Sequence, residues 1–286
     1  MIDAARSSAP PEALRLAAQA LPAAAGVYAR LQIVLQNPQV ALDEIIDLVK
    51  LDAGLSAAVV RAGNSACCRR GEPLESVNDA INRVGLREVH RIVGQAVAGQ
   101  LFLSQLPLYA LPGRLVWENS LATAVAMSAL AHAAGEDERP AYTLGLLRPA
   151  GRLVLQRLAL ADTHPVSPRT PIDPAAEGAQ ERARFGVTNT EVTAHLFAHW
   201  RFAPALGVAL RHHPQPEKAP AEAPLAARLH LACWIAATLG KGLPGEARIW
   251  RATPDLVALA GLPPETPQSC IVDIRAELNR LSGSLR

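Results

Sequence analysis

The chain has 286 residues, of which 50% are hydrophobic, only 4% aromatic and 19% charged, and 54 are alanine. A disordered chain would need low hydrophobicity and high charge, and a β-sandwich or barrel would need aromatic and β-branched residues in alternating runs, so both are excluded. The net charge of +2 is too small for a surface that binds nucleic acid by neutralising phosphates.

Helical periodicity recurs along the chain. Met1 to Glu12 has no apolar run and does not read as a signal peptide. Leu42, Ile45, Ile46 and Val49 fall at i, i+3, i+4 and i+7, one face of a helix. Ser76 and Asp79 have capping-box spacing. Leu86, Val89, Val93 and Val97 then mark a helix over 86–102. A break from Leu106 to Gly113, with Pro107 and Pro112, separates this group from a second one. Leu121 to Gly135 is the longest apolar stretch, too short and too interrupted to span a membrane. A proline-rich loop follows from Thr163 to Pro174, then a capping box at Thr188 and Glu191 and a short helix carrying Leu206, Val208 and Leu210. A second loop, Pro214 to Pro224, precedes a helix over about 225–240. The remaining residues read as short helices punctuated by Pro244, Pro254, Pro263, Pro264 and Pro267, with Thr253 and Thr266 as N-caps. The pattern predicts roughly a dozen helices and no strand. The chain is expected to be a cytoplasmic, all-α protein.

Few residues cluster in a way that carries chemistry. His195 and His199 lie four apart on a predicted helix, a spacing that can hold a metal only with a third ligand. His212 and His213 end an apolar helix, where the dipole favours cationic histidine. Arg83, Arg87 and Arg91 step by four and could form an anion-binding stripe, although Gly85 should interrupt the helix between the first two. Arg69 and Arg70 form a smaller basic patch. Cys67, Cys68, Cys233 and Cys270 have neither zinc nor disulfide spacing and read as idle thiols. Walker, dinucleotide-binding and zincin motifs are missing.

Several segments, taken in order, resemble the bacterial HDOD domain, an output domain related to the HD phosphohydrolases. They are Leu21 to Pro38, Asp43 to Leu55, Asn64-Ser65-Ala66, Ser76 to Val89, Trp117 to Ser120, Gly145-Leu146-Leu147, Gly151 to Val154, Phe185 to Val192, and Arg211 to Pro214. The resemblance covers about residues 14–240. It implies an HD-domain-like helical bundle, with an N-terminal helical lobe over 14–106 and an HD-like lobe over 107–240. Residues 241–286 would form a helical extension.

Active members of the wider superfamily hold two metals through scattered His and Asp residues centred on a His-Asp pair. This chain departs from that pattern. The resemblance puts Asn119 where the first His would be, Arg148 and Pro149 where the His-Asp pair would be, Asn189 where another His would be, and Cys233 where a late Asp would be. His212 and His213 remain. Arginine has no acceptor and cannot ligate a cation, and proline has no side-chain donor. The expected site is therefore a vestigial pocket with no cofactor, in which Arg148 fills the vacated space or pairs with an anion. The implied function is a non-enzymatic signalling output or scaffold protein. Its partners would be proteins of a two-component or cyclic-dinucleotide pathway, meeting it at an apolar groove between the lobes. Alternatives are a residual metal-dependent phosphohydrolase and a nucleotide or nucleic-acid sensor.

Overall fold

The computed structural model describes residues 11–65, 72–161 and 174–283. Among them are fifteen α-helices, three single 3-10 turns and one isolated bridge between Leu106 and Leu111, so the architecture is all-α. Cys67, Cys68, Arg69 and Arg70 lie outside the described residues, as does most of the Thr163–Pro174 loop.

The first group comprises α1 (Pro11–Gln19), α2 (Ala23–Val34), α3 (Leu42–Lys50), α4 (Ala53–Gly63), α5 (Val77–Val84) and α6 (Leu86–Phe102). Local chemistry sets several of their ends. Asp52 caps α4 by accepting from the Leu55 N–H at 2.9 Å, and Ser76 caps α5 through the Asp79 N–H at 3.0 Å. Asn64 closes the end of α4 against the approach to α5: its Nδ2 donates to the Leu74 carbonyl at 2.8 Å and its Oδ1 accepts from the Leu74 N–H at 2.7 Å. Gly85 stands between α5 and α6 with φ +84°, a conformation side chains disfavour, so the two helices cannot merge. Val89, Val93, Val97 and Leu101 on α6 are buried, each contributing about 1.5–3 kcal/mol of apolar stabilisation.

The break after α6 is a 3-10 turn over Pro107–Tyr109. The second group is α7 (Gly113–Ala133), α8 (Glu138–Leu147), α9 (Ala150–Ala161), α10 (Pro174–Phe185), α11 (Asn189–His199), α12 (Pro204–His212) and α13 (Ala223–Thr238). α7 is the axis of the molecule. It is buried on nearly every side and touches α6, α8, α13 and a later helix, α15 (Thr266–Gly283). The alanine excess has its physical meaning here, because small side chains let several helices approach one another closely around α7. α1 lies on α9, and α14 (Pro254–Leu259) lies on α13. No helix among the described residues is long and apolar enough to cross a membrane.

Three sequence expectations need correction. The buried stripe of α12 is Leu206, Ala209 and Leu210, with Val208 only half-buried, because i, i+3, i+4 spacing rather than alternation faces the core. The end of the chain is not all short helices. α15 runs for 18 residues, since its only proline lies in its first turn, where a missing N–H is tolerated. Thr266 is inside that helix rather than capping it. The junction of α6 with α7 and α8 carries a depression of about 310 Å3 lined by Arg87, Arg91, Glu138 and Arg139, with Tyr142 and His90 behind them.

A buried polar knot joins the two groups at that junction. Gln32 Oε1 accepts from His90 Nε2 at 2.5 Å and from the Thr143 hydroxyl at 3.0 Å, and the Tyr28 hydroxyl lies 3.1 Å from both His90 Nε2 and Thr143 Oγ1. Burial, with the charges of Arg139 and Arg91, pulls His90 from 6.5 to about 3. An unfolded histidine takes up its proton near pH 6.5 and this folded one only near 3, so the unfolded state binds more protons in between. Stability should therefore fall as pH drops through that window, by ~1.4 kcal/mol per pH unit from this one group. Urea unfolding at several pH values checks this. His90→Gln should flatten the slope by one proton, and an unchanged slope would show that His90 does not titrate this way.

Candidate functional site

The candidate site begins at the turn between α8 and α9. Arg148 ends α8, and Pro149 precedes α9 where no N–H is required. Gly151 then lets α9 press against α11. A Cβ there would fall on the Asn189 carbonyl oxygen and 2.8 Å from Thr193 Oγ1. The Thr193 hydroxyl fastens the same contact, accepting from the Gly151 N–H at 2.9 Å and lying 3.1 Å from the Arg148 carbonyl. This packing fixes Arg148 and Arg152, four residues apart, on one side of the junction.

Both arginines are 4% exposed, and they meet on one carboxylate, that of Glu246. Arg148 reaches its two oxygens from Nη1 at 3.3 Å and Nη2 at 3.1 Å, and Arg152 reaches Oε1 from Nη2 at 2.9 Å. The Trp250 indole N–H donates to Oε2 at 3.2 Å. Arg148 Nη2 also donates to Asn119 Oδ1 at 2.6 Å, while Asn119 Nδ2 donates to the Lys241 carbonyl at 2.8 Å. Arg152 Nε donates to Glu177 Oε1 at 2.9 Å. Burial alone would raise the Glu246 carboxyl, but the two guanidiniums overcome it and hold it down at about 2.

Around this core, Glu181 accepts the Tyr109 hydroxyl at 2.7 Å and the Asn189 backbone N–H at 2.8 Å, with Asn189 Nδ2 at 3.1 Å. His213 is buried, and its ring stacks on Trp250 at 5.4 Å between centroids. Its Nδ1 donates to the Leu210 carbonyl at 2.7 Å, which leaves Nε2 as an acceptor, and that atom has no partner. Burial, with the charge of Arg148, pulls His213 down to about 3. His230 donates from Nδ1 to the His213 carbonyl and accepts the Arg251 N–H at Nε2. Burial pushes the Cys233 thiol up to about 12 despite the charge of Arg148. A cleft of about 750 Å3 opens beside the cluster, and Arg148, Arg152, Asn189, His213, Glu246 and Trp250 all line it.

Asn119, Arg148, Asn189, His213 and Cys233 thus gather around one centre, and Pro149 serves as its backbone turn. His212 is half-buried and does not line the cleft; only its neighbour faces inward. Arg83, Arg87 and Arg91 do not form a free stripe. Arg83 is on α5 and bonds the Glu72 carbonyl, Arg87 pairs with Glu138 at 2.7 Å, and Arg91 pairs with Glu88 and Glu277. His195 and His199 are exposed on α11. The sequence reading missed Glu246, Trp250, Arg152, Glu177, Glu181 and Tyr109 as members of the site. Arg152 was findable, four residues beyond Arg148, but nothing local marks Glu246.

This donor set does not fit a divalent cation. A guanidinium is at its centre, the Asn119 oxygen is already taken by that guanidinium, and the Cys233 thiol is held protonated. Among the described residues no three His, Cys, Asp or Glu side chains are grouped to hold a metal.

Removing the Glu246 carboxylate would leave two buried guanidiniums short of an anion. Glu246→Ala should cost about 3–5 kcal/mol in urea unfolding. Adding Arg148→Met should recover part of that loss. Strictly additive losses would show that the two side chains do not interact.

The HDOD domain family matches residues 21–216. No curated protein matches the sequence. Among solved structures, the chain is similar to an HDOD domain protein of unknown function from Geobacter sulfurreducens, with TM-score 0.66 and 22% identity over 94% of this chain and 98% of the other. It is also similar to a candidate phosphohydrolase from Shewanella amazonensis SB2B, with TM-score 0.63 and 22% identity over 96% and 98%. A candidate signal transduction protein from Marinobacter aquaeolei VT8 gives TM-score 0.66 and 21% identity over 96% of this chain and 65% of that one. With the family match covering well over half of its length and the same all-helical fold in these relatives, this chain belongs to the HDOD domain family.

Proposed function

We propose that this HDOD protein is a non-enzymatic output or scaffold component of bacterial signal transduction, acting through protein partners of a two-component or cyclic-dinucleotide pathway. The observation that carries the reading is Arg148. Its side chain occupies the place where the resemblance puts a His-Asp pair, and it is bonded to Asn119 and Glu246. A cation fixed there repels a metal and offers it no lone pair. The fold can persist without the chemistry, because the apolar faces that build it do not depend on the site. The signalling assignment draws on the family and on the name carried by the Marinobacter protein.

Two measurements test the reading. Purified protein supplied with Mn2+, Fe2+ or Zn2+ should retain no stoichiometric metal. It should also not hydrolyse bis(p-nitrophenyl) phosphate or a cyclic dinucleotide above the buffer rate. Bound metal with turnover, both lost in His213→Ala, would contradict it. Affinity capture from the native cell should return a sensor, regulator or cyclic-dinucleotide protein that binds again when purified. Reproducible capture of proteins from outside such pathways would contradict the signalling assignment.

A further inference from the structure

The arginine pair carries more donors than its carboxylate can serve. Four N–H groups converge on the two oxygens of Glu246: Arg148 Nη1 and Nη2, Arg152 Nη2 and Trp250 Nε1, at 2.9 to 3.3 Å. Two further donors, Arg148 Nε and Arg152 Nη1, are buried without any partner. Unserved buried donors are destabilising, and a flat two-oxygen acceptor cannot reach them all. A tetrahedral oxyanion, with acceptors pointing four ways and up to two negative charges, matches this array better.

The surroundings allow an exchange. The arginines are fixed by the α8–α9 junction, whereas Glu246 comes from a single 3-10 turn between α13 and α14, preceded by Gly245 at φ +84°. The cleft of about 750 Å3 that borders the cluster has room for both the displaced carboxylate and a small ligand. Arg248 and Arg251 are exposed on the lining of this cleft, where they can meet an incoming anion, and the exposed Glu217 lines it too. Glu177 and Glu181 also line it, but Glu177 is held by Arg152 Nε and Glu181 by Tyr109 and Asn189.

We propose that Arg148 and Arg152 form a binding site for phosphate or the phosphate group of a small phosphomonoester, occupied in this structure by the chain's own Glu246 carboxylate, which the ligand displaces. The inference rests on the reading of the site as free of metal chemistry.

The test is isothermal titration of the full chain with inorganic phosphate, and in a parallel arm with AMP, both in chelator. Saturable one-site binding is expected, about tenfold tighter in Glu246→Gln, where the competing charge is gone, and lost in Arg152→Gln. Tighter binding of AMP than of phosphate would identify a phosphomonoester as the ligand, and the reverse would identify the free ion. No saturable binding in the wild type, or equal binding in Arg152→Gln, overturns the proposal. If Glu246→Gln does not fold, thermal unfolding of the wild type decides. A saturable rise in midpoint with phosphate over chloride of equal ionic strength supports the site, and superimposable curves sink it. A failure in chelator leaves the non-enzymatic reading standing, whereas binding that appears only with added metal overturns both.

Discussion

A carboxylate taken out of water needs positive partners, and Glu246 has two guanidiniums and an indole N–H. The two guanidiniums come from a part of the chain nearly a hundred residues away, and the indole from only four residues on. The arginines are placed by the α8–α9 turn, which depends on the close approach of Gly151 to α11. Glu246 and Trp250 come from the stretch after α13. The cluster therefore acts as a clasp. It holds the last part of the chain over the centre of the second helical group, and it satisfies two buried charges that would otherwise destabilise the fold.

The same clasp explains the site's chemistry. A divalent cation needs lone pairs and tolerates no fixed positive charge beside it. Here the central group is a donor without lone pairs, its nearest amide oxygen is already engaged, and the thiol nearby keeps its proton. The buried His213, whose Nε2 has no partner, faces inward, and Trp250 covers its face. What the site offers instead is a surplus of N–H groups, a feature suited to anions.

Much of the fold was legible because it follows from local rules. The valine stripe and Gly85 set the bounds of α6, and the Thr188–Glu191 capping box set the start of α11. Ordered motifs brought Asn119, Arg148, Asn189, His213 and Cys233 to one place. What could not be read was long-range. Glu246 lies in a stretch with Gly242, Pro244 and Gly245, without periodicity, and its role exists only when two arginines from another element arrive. α15 was underestimated because prolines before and within its first turn looked like breaks, yet Ile271, Ile274, Leu278 and Leu281 continue one buried face beyond them. The position of His212 failed for a simpler reason: adjacent residues on a helix end point in different directions, and only His213 turns inward.

The central claim is that a guanidinium–carboxylate clasp stands where a metal centre would otherwise be. Anomalous diffraction from crystals of the full chain soaked in Mn2+ tests it most directly. The account predicts Arg148 bonded to Glu246 and Asn119, with no manganese peak in the cluster. A manganese ion bound by His213, with Arg148 swung away from Glu246, would contradict it.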